Sequence, residues 1–144
     1  MSKSTSGGKR SRARLLLVQS LYQQQIAGHD KAELLSQFRD RSEYQRVDQD
    51  YFDAGLAAIC DAREALETDI GRYTDRPVEQ LDPVERAILL LGFYELESRP
   101  DVPFKAVINE AVNLAKRLGA LDGHKYINAV LDKAAKSLRD AAAS

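Results

Sequence analysis

Residues 81–96 read LDPVERAILLLGFYEL, and this stretch decides the fold class. Asp82 is a favourable helix N-cap, Pro83 suits the first helical position, and Glu85 is placed to complete a capping box. Apolar residues then cover nearly the whole circumference of the predicted helix. Because a helix that is apolar on all sides must be buried, we predict that this one forms the centre of the molecule.

Helical periodicity recurs on both sides of this stretch, and strand-like alternation is not seen. Gly28 and Gly119 suit the left-handed position that follows a helix. A short helix is announced by Asp30 and Glu33, which form a second capping-box pattern. Longer helices are predicted at about residues 11–27, 50–73, 103–118 and 123–138.

The predicted fold is therefore all-α: a compact single-domain bundle of about six to seven helices with a buried central helix. Residues 1–9 form a basic, Ser/Gly-rich stretch that lacks apolar residues, so we expect a disordered tail there. Residues 10–144 are expected to form the single helical domain.

Composition places the protein among ordinary globular domains, with 44% hydrophobic and 30% charged residues over 144 positions. Cys60 is the single cysteine, which excludes an intrachain disulfide and fits a reducing compartment. We expect this thiol to be a small, buried core group. The longest apolar run, residues 87–91, is too short to span a bilayer, and no secretory signal is visible. The expected location is the cytoplasm.

Catalytic and metal-binding patterns are missing from the sequence. His29 and His124 fall in predicted loops or helix ends with no cysteine nearby in the sequence, and neither an H-E-x-x-H nor a Glu-x-x-His pair occurs. Neither a phosphate-binding glycine loop nor a dinucleotide fingerprint occurs. We therefore expect no enzymatic activity, no metal and no cofactor.

Positive charge is concentrated in the N-terminal residues. The net charge is −1, yet the first fourteen residues carry five cations and no acid: Lys3, Lys9, Arg10, Arg12 and Arg14. A helix starting near Ser11 would place these cations at its N-terminus, where free amide groups also attract phosphate. A solubilising tail would have the same composition. Both interpretations stay open on the sequence alone.

A second candidate site is the glycine-bracketed corner at residues 119–126. Lys116 and Lys125 add positive charge, and Tyr126 lies off the apolar stripe of its predicted helix. A partly exposed aromatic ring beside cations can stack an unpaired base. The alternative is that Tyr126 packs on a neighbouring helix and that Asp122 merely caps its own.

At several of these stretches the sequence resembles the NusB family. The matching segments run in order from about Arg10 to Lys136: RARLLLVQSLY at 12–22, LDPVERAIL at 81–89, FYEL at 93–96, DVPFKAVINEAV at 101–112, LAKRLG at 114–119 and KYINAVLD at 125–132. Ser11 interrupts the family's arginine run, and residues 30–50 match least.

The resemblance implies a function that composition does not show. NusB-like proteins are compact helical domains that bind boxA, a single-stranded element of nascent RNA, together with the ribosomal protein NusE. The complex loads onto RNA polymerase with other Nus factors and suppresses premature termination, notably in ribosomal RNA operons. Homodimerisation varies within the family, so the oligomeric state stays open.

The resemblance also implies roles for individual residues. Tyr22 and Glu85 match positions expected to face NusE. The positions that it implies for RNA binding are Arg10, Arg12, Arg14, Asp122, Lys125 and Tyr126. Lys9 and Lys116 join the expected RNA-binding set because of their positive charge beside these positions.

Two other functions are alternatives to this one. NusB-like domains also precede the catalytic part of some ribosomal RNA cytosine methyltransferases, but residues after the last predicted helix are too few here for a cofactor-binding sheet. A protein-binding scaffold with a solubilising tail is the other alternative. It predicts that the arginines can be replaced without altering any interaction.

Overall fold

The computed structural model describes the backbone of residues 2–119 and 123–143 and the side chains of residues 8–119 and 123–139. These residues form seven α-helices and two short 3-10 helices, without a strand, which confirms the all-α class. The α-helices are α1 (Ser2–Ala27), α2 (Lys31–Arg39), α3 (Gln49–Asp61), α4 (Arg63–Gly71), α5 (Pro83–Ser98), α6 (Phe104–Arg117) and α7 (Gly123–Ala143). They group into two compact units, Met1–Asp61 (unit 1) and Ala62–Ser144 (unit 2). A single domain over residues 10–144 stays a prediction.

Unit 1 is built on an aromatic core between its three helices. α1 packs against both α2 and α3. Phe38 of α2 stacks on Phe52 of α3 with ring centroids 6.3 Å apart. Tyr44 meets the same ring edge-on at 5.9 Å. Tyr44 belongs to a 3-10 helix, Ser42–Arg46, so the polar segment between α2 and α3 also contributes to the core. The capping box at Asp30 and Glu33 is confirmed.

The start of α1 differs from the expected start near Ser11. In the structure α1 begins at Ser2. The Lys9 carbonyl accepts a hydrogen bond of 3.1 Å from the N–H of Asp48. Lys9 is therefore part of the ordered helix, because the segment that leads into α3 holds its backbone. The side chains of residues 1–7 lie outside the described part of the molecule, and a disordered tail stays a prediction.

The prediction of a single long helix over residues 50–73 is wrong, since the structure has two helices there. α3 ends at Asp61 and α4 begins at Arg63, because Ala62 leaves helical geometry with φ −101° and ψ 15°. In the sequence, Arg63 interrupts the apolar residues that recur at helical spacing between Phe52 and Tyr73. Its guanidinium bonds Glu67 at 2.8 Å, and Arg86 of α5 donates to the same carboxylate oxygen at 2.8 Å. Glu67 is thus a half-buried link between α4 and α5.

Unit 2 is organised around α5, as predicted. Ten consecutive residues of α5, 87–96, are buried. The helix packs against α4, α6 and α7. At its start the Asp82 carboxylate accepts hydrogen bonds from the N–H groups of Val84 (3.0 Å) and Glu85 (3.2 Å). Glu85 therefore joins this cap through its backbone amide.

Two contacts with α7 hold the middle and the end of α5. A Cβ added at Gly92 would lie 2.9 Å from Cδ2 of Leu131, so the glycine allows α7 to approach closely. The Arg139 guanidinium donates to the carbonyls of Leu96 (2.8 Å), Glu95 (3.1 Å) and Arg99 (3.2 Å). Because carbonyls at a helix end lack partners within the helix itself, Arg139 caps the C-terminal end of α5.

The remaining expectations concern helix ends and single groups. Gly28 (φ 73°) and Gly119 (φ 81°) adopt the predicted left-handed conformation. Cys60 is half-buried rather than buried, and Nε2 of Gln24 lies 3.7 Å from its sulfur. No helix in the described residues is long and apolar enough to cross a membrane. Within the same residues, no group of three His, Cys, Asp or Glu side chains is placed to hold a metal ion.

Candidate nucleic-acid interface

The cations of α1 fall into two sets according to where they lie on the helix. Lys9 and Arg12 are exposed. Arg10 and Arg14, one turn apart, both lie over the ring of Tyr51 from α3. Their guanidinium carbons are 4.4 Å and 5.5 Å from the ring centroid. Because the ring is only 3% exposed, Tyr51 forms a buried platform that fixes two cations in place.

The two cations over the platform differ in access to solvent. The Arg10 side chain is 36% exposed and lies 3.9 Å from the Asp48 carboxylate, which is 34% exposed. Arg14 is 5% exposed. The resemblance implied that Arg14 faces RNA, whereas the structure packs it inside unit 1. Arg10 is therefore the more solvent-accessible cation of the pair.

The position of these cations along α1 also corrects the sequence analysis. Since α1 begins at Ser2, Lys9 lies about two turns beyond the helix start. Backbone amides at that depth are used by the helix's own hydrogen bonds. The predicted anion site at a helix N-terminus is therefore wrong for the arginine segment. Any phosphate binding there depends on side chains.

The corner that follows α6 keeps its cations exposed. Lys116 and Lys125 are both exposed, and Tyr126 is half-buried on α7. Asp122 lies outside the described residues, so its predicted roles in capping and RNA binding stay predictions. Tyr126 thus combines a partly accessible ring with a neighbouring cation in its own helix.

Tyr126 is held by a loop that the sequence analysis did not single out. Its hydroxyl donates to Oδ1 of Asp75 at 3.1 Å. Nε of Arg76 donates to the same oxygen at 3.1 Å. The Arg76 guanidinium carbon lies 5.2 Å from the centroid of the tyrosine ring. Asp75 and Arg76 lie between α4 and α5, about fifty positions from Tyr126, so no local spacing could have shown this cluster.

The electrostatics of the cluster follow from these bonds. The Arg76 guanidinium, and after it the Tyr126 hydroxyl, lower the pKa of Asp75 below its ordinary value. Burial raises the pKa of Tyr126, and the bond to Asp75 raises it further. Asp75 is therefore an anion and Tyr126 a neutral hydrogen-bond donor near pH 7.

The two residues expected to face NusE have different surroundings. Tyr22 is 42% exposed on α1, and Ile26, one turn further on, is 64% exposed. Together they form an exposed apolar strip on unit 1. Glu85 lies in the first turn of α5 in unit 2, where burial and the nearby charge of Asp82 raise its pKa. The positive charge of Arg76 offsets only part of this rise in the pKa of Glu85.

Comparison with known proteins identifies the family. The model of the NusB family matches residues 11–136. A protein of Paraburkholderia phymatum named transcription antitermination protein NusB is 45% identical over 130 residues, covering 90% of each chain. The protein of the same name from Nitrosospira multiformis is 48% identical over 128 residues, covering 89% of this chain and 81% of that one.

Comparison with solved structures supports the same family. A solved structure of NusB from T. maritima superposes with a TM-score of 0.79 at 28% identity, covering 88% of this chain and 90% of that one. The match therefore extends over most of both chains. On these grounds the chain belongs to the NusB family, whose members named above are transcription antitermination proteins.

Proposed function

We propose that this protein binds the boxA element of nascent RNA together with NusE, and helps to recruit an antitermination complex with other Nus factors to RNA polymerase in the cytoplasm. The observation that carries the proposal is the basic side of α1. There Lys9 and Arg12 are exposed and Arg10 is fixed on the Tyr51 ring. Cations fixed before binding lose less freedom when they meet a phosphate.

The α1 cations are the proposed phosphate contacts. Lys9, Arg10 and Arg12 offer three accessible positive groups, while Arg14 holds its part of α1 on Tyr51. With Lys116 or Lys125 as a fourth contact, three or four phosphates would be neutralised. For single-stranded RNA this predicts a log affinity that falls with log salt at a slope of roughly −2 to −3.

Tyr126 is the proposed base contact. A half-exposed tyrosine ring next to the exposed Lys125 suits an unstacked base, and each such stacking interaction contributes about 1–3 kcal/mol. The proposal also keeps Asp122 as an RNA contact, on the family resemblance. Bases and phosphates would thus be bound by different side chains.

NusE is the proposed protein partner. The exposed ring of Tyr22 provides an amphipathic anchor for such a partner. Glu85 provides a carboxylate whose raised pKa reflects burial, which a cation from the partner would offset. A partner that itself contacts RNA raises the overall affinity, because two modest surfaces then act on one ligand.

The test is fluorescence anisotropy of a labelled boxA RNA, with and without NusE, beside a scrambled RNA of equal length. The expected result is tighter binding to boxA, strengthened by NusE and weakened when Arg10 and Arg12 are both replaced by alanine. Equal weak binding to both RNAs, unchanged by that replacement, would favour the protein-scaffold alternative.

A further inference from the structure

Asp75 and Arg76 belong to none of the motifs that carry the family resemblance, yet both contact Tyr126. We propose that these two loop residues complete a nucleotide-binding site at Tyr126. In this site the tyrosine ring stacks an unpaired RNA base, Arg76 binds the adjoining phosphate, and Asp75 positions both side chains. The inference rests on the proposed function, since it specifies how RNA is bound at this corner.

The geometry around Oδ1 of Asp75 is the first support. This single oxygen accepts both from the Tyr126 hydroxyl and from Nε of Arg76, at 3.1 Å each. A carboxylate that bonds two groups at once keeps the ring and the guanidinium side by side. Asp75 therefore acts as a positioning residue, not as a contact to RNA.

The exposure of Arg76 is the second support. Its side chain is 45% exposed, and the contact with Asp75 uses Nε. A guanidinium carries five N–H donors in a rigid fork, so one contact through Nε is compatible with binding a phosphate through the remaining donors. Arginine also stacks on aromatic rings, which the distance of 5.2 Å to the Tyr126 centroid allows.

Because Asp75 is negatively charged, the inference can be tested by whether removing its carboxylate tightens or weakens RNA binding. The carboxylate alone would repel an RNA phosphate, so a pure charge effect predicts that its removal tightens binding. A positioning role predicts the opposite, because the ring and Arg76 would then become mobile. Exposed charge effects are small, so we expect loss of position to dominate.

The experiment measures the affinity of a labelled boxA RNA for the wild type and for Asp75→Ala, Asp75→Asn, Arg76→Ala, Tyr126→Phe and the double variant Asp75→Ala/Tyr126→Phe. We expect Asp75→Ala and Tyr126→Phe each to weaken binding about fivefold, the usual effect of losing one hydrogen bond. The double variant should be no weaker than Asp75→Ala, since the two changes remove the same bond. Asp75→Asn keeps an acceptor and should retain part of the affinity.

Arg76→Ala should weaken binding about fivefold and make the salt slope less steep by about 0.7, the contribution of one phosphate contact on single-stranded RNA. The matched control is Asp101→Ala. Asp101 accepts two hydrogen bonds of 2.9 Å from Arg99 in the loop after α5, and its replacement should leave affinity unchanged.

A readout without RNA separates positioning from a general loss of structure. In protein labelled with 3-fluorotyrosine, the fluorine signal of Tyr126 is assigned by its loss in Tyr126→Phe. This signal should move in Asp75→Ala and stay in place in Asp101→Ala, while the melting temperature of both variants stays close to that of the wild type.

The possible failures are distinguishable. Tighter binding by Asp75→Ala, or binding by Asp75→Ala and Arg76→Ala equal to that of Asp101→Ala, would overturn the inference. The proposed function would survive that result if Tyr126→Ala still lost affinity for boxA. Wild-type protein that does not distinguish boxA from a scrambled RNA would overturn both.

Discussion

Two tyrosines pair with arginines in this molecule, and the arrangements are opposite. Tyr51 in unit 1 is 3% exposed and carries Arg10 and Arg14 on its ring. Tyr126 in unit 2 is half-buried, and its hydroxyl and Arg76 are both bound by Asp75. In the first case a buried ring positions cations. In the second a carboxylate positions an accessible ring.

Under the proposed function, this difference separates two kinds of RNA recognition. A ring inside the core cannot meet a nucleic-acid base, so Tyr51 contributes only through the cations that it fixes. Those cations respond to phosphate charge and to salt. Tyr126 has accessible ring surface, so it can respond to the bases themselves. The basic helix is thus expected to supply affinity for RNA in general, and the Tyr126 site to supply preference among sequences.

The largest expected effect is on stability and comes from Tyr51→Ala. Removing a core aromatic ring destabilises a protein by about 3–5 kcal/mol, since it leaves a cavity, and here it also frees both arginines. Urea unfolding should show this loss, whereas Tyr126→Ala should change stability by less than about 1 kcal/mol. Equal losses in the two variants would contradict the distinction between a core ring and an accessible one.

The second-largest effect is expected in the variant Tyr126→Ala, and it concerns the affinity for RNA. Loss of one stacked base should weaken boxA binding about thirtyfold, the middle of the range for base–aromatic stacking. Binding to a scrambled RNA should change much less, so the preference for boxA should fall. Phe104→Ala is the control, because Phe104 is another exposed aromatic of unit 2, at 39% exposure. It should leave both affinities unchanged.

A smaller effect is expected from Lys9→Ala/Arg12→Ala, which removes the two exposed cations of α1. Affinity should fall about tenfold at low salt, and equally for boxA and scrambled RNA, because phosphates carry no sequence information. Lys133→Ala/Lys136→Ala removes two cations from α7 and serves as the control. An effect confined to boxA would show that α1 reads bases.

The smallest effect concerns the pH dependence of stability that the Glu97 carboxyl group of α5 produces. Burial, and then the neighbouring Asp69 carboxylate, raise the pKa of Glu97 from 4.5 to about 7. A raised pKa means that the stabilising contribution is complete below about pH 4.5 and is lost as the pH rises to about 7. Glu97→Gln should therefore gain stability relative to the wild type over this window. Because solvent still reaches much of the Glu97 side chain and screens its charge, we expect a gain of about 1 kcal/mol or less by urea unfolding. A constant difference across the window would contradict the raised pKa.

The sequence predicted those features that depend on neighbouring residues. The all-α class, the buried α5, the capping box at Asp30 and the left-handed glycines at 28 and 119 all follow from local patterns, and the structure confirms them. Each depends on residues within a single helix or at its ends, so local spacing alone reveals it.

The features that were missed depend on contacts between residues far apart in the sequence. Tyr51 lies about forty positions after the arginines that it carries, and Arg139 caps α5 from the other end of unit 2. One feature of the sequence does correspond to the helix break at Ala62, namely the polar Arg63 among apolar residues at helical spacing. The sequence does not show that Arg63 bonds Glu67. The residues around the 119–126 corner and the family resemblance both indicated Tyr126, whereas only the structure shows Asp75 beside it.

The most direct test of the division between phosphate and base recognition is the salt dependence of boxA binding in three proteins. The wild type, Lys9→Ala/Arg12→Ala and Tyr126→Ala would be titrated by anisotropy between about 50 and 200 mM salt. The double variant should have a slope less steep than the wild type by about 1.4, the contribution of two phosphate contacts on single-stranded RNA. Tyr126→Ala should bind more weakly with an unchanged slope. A Tyr126→Ala slope reduced as much as that of the double variant would contradict the division.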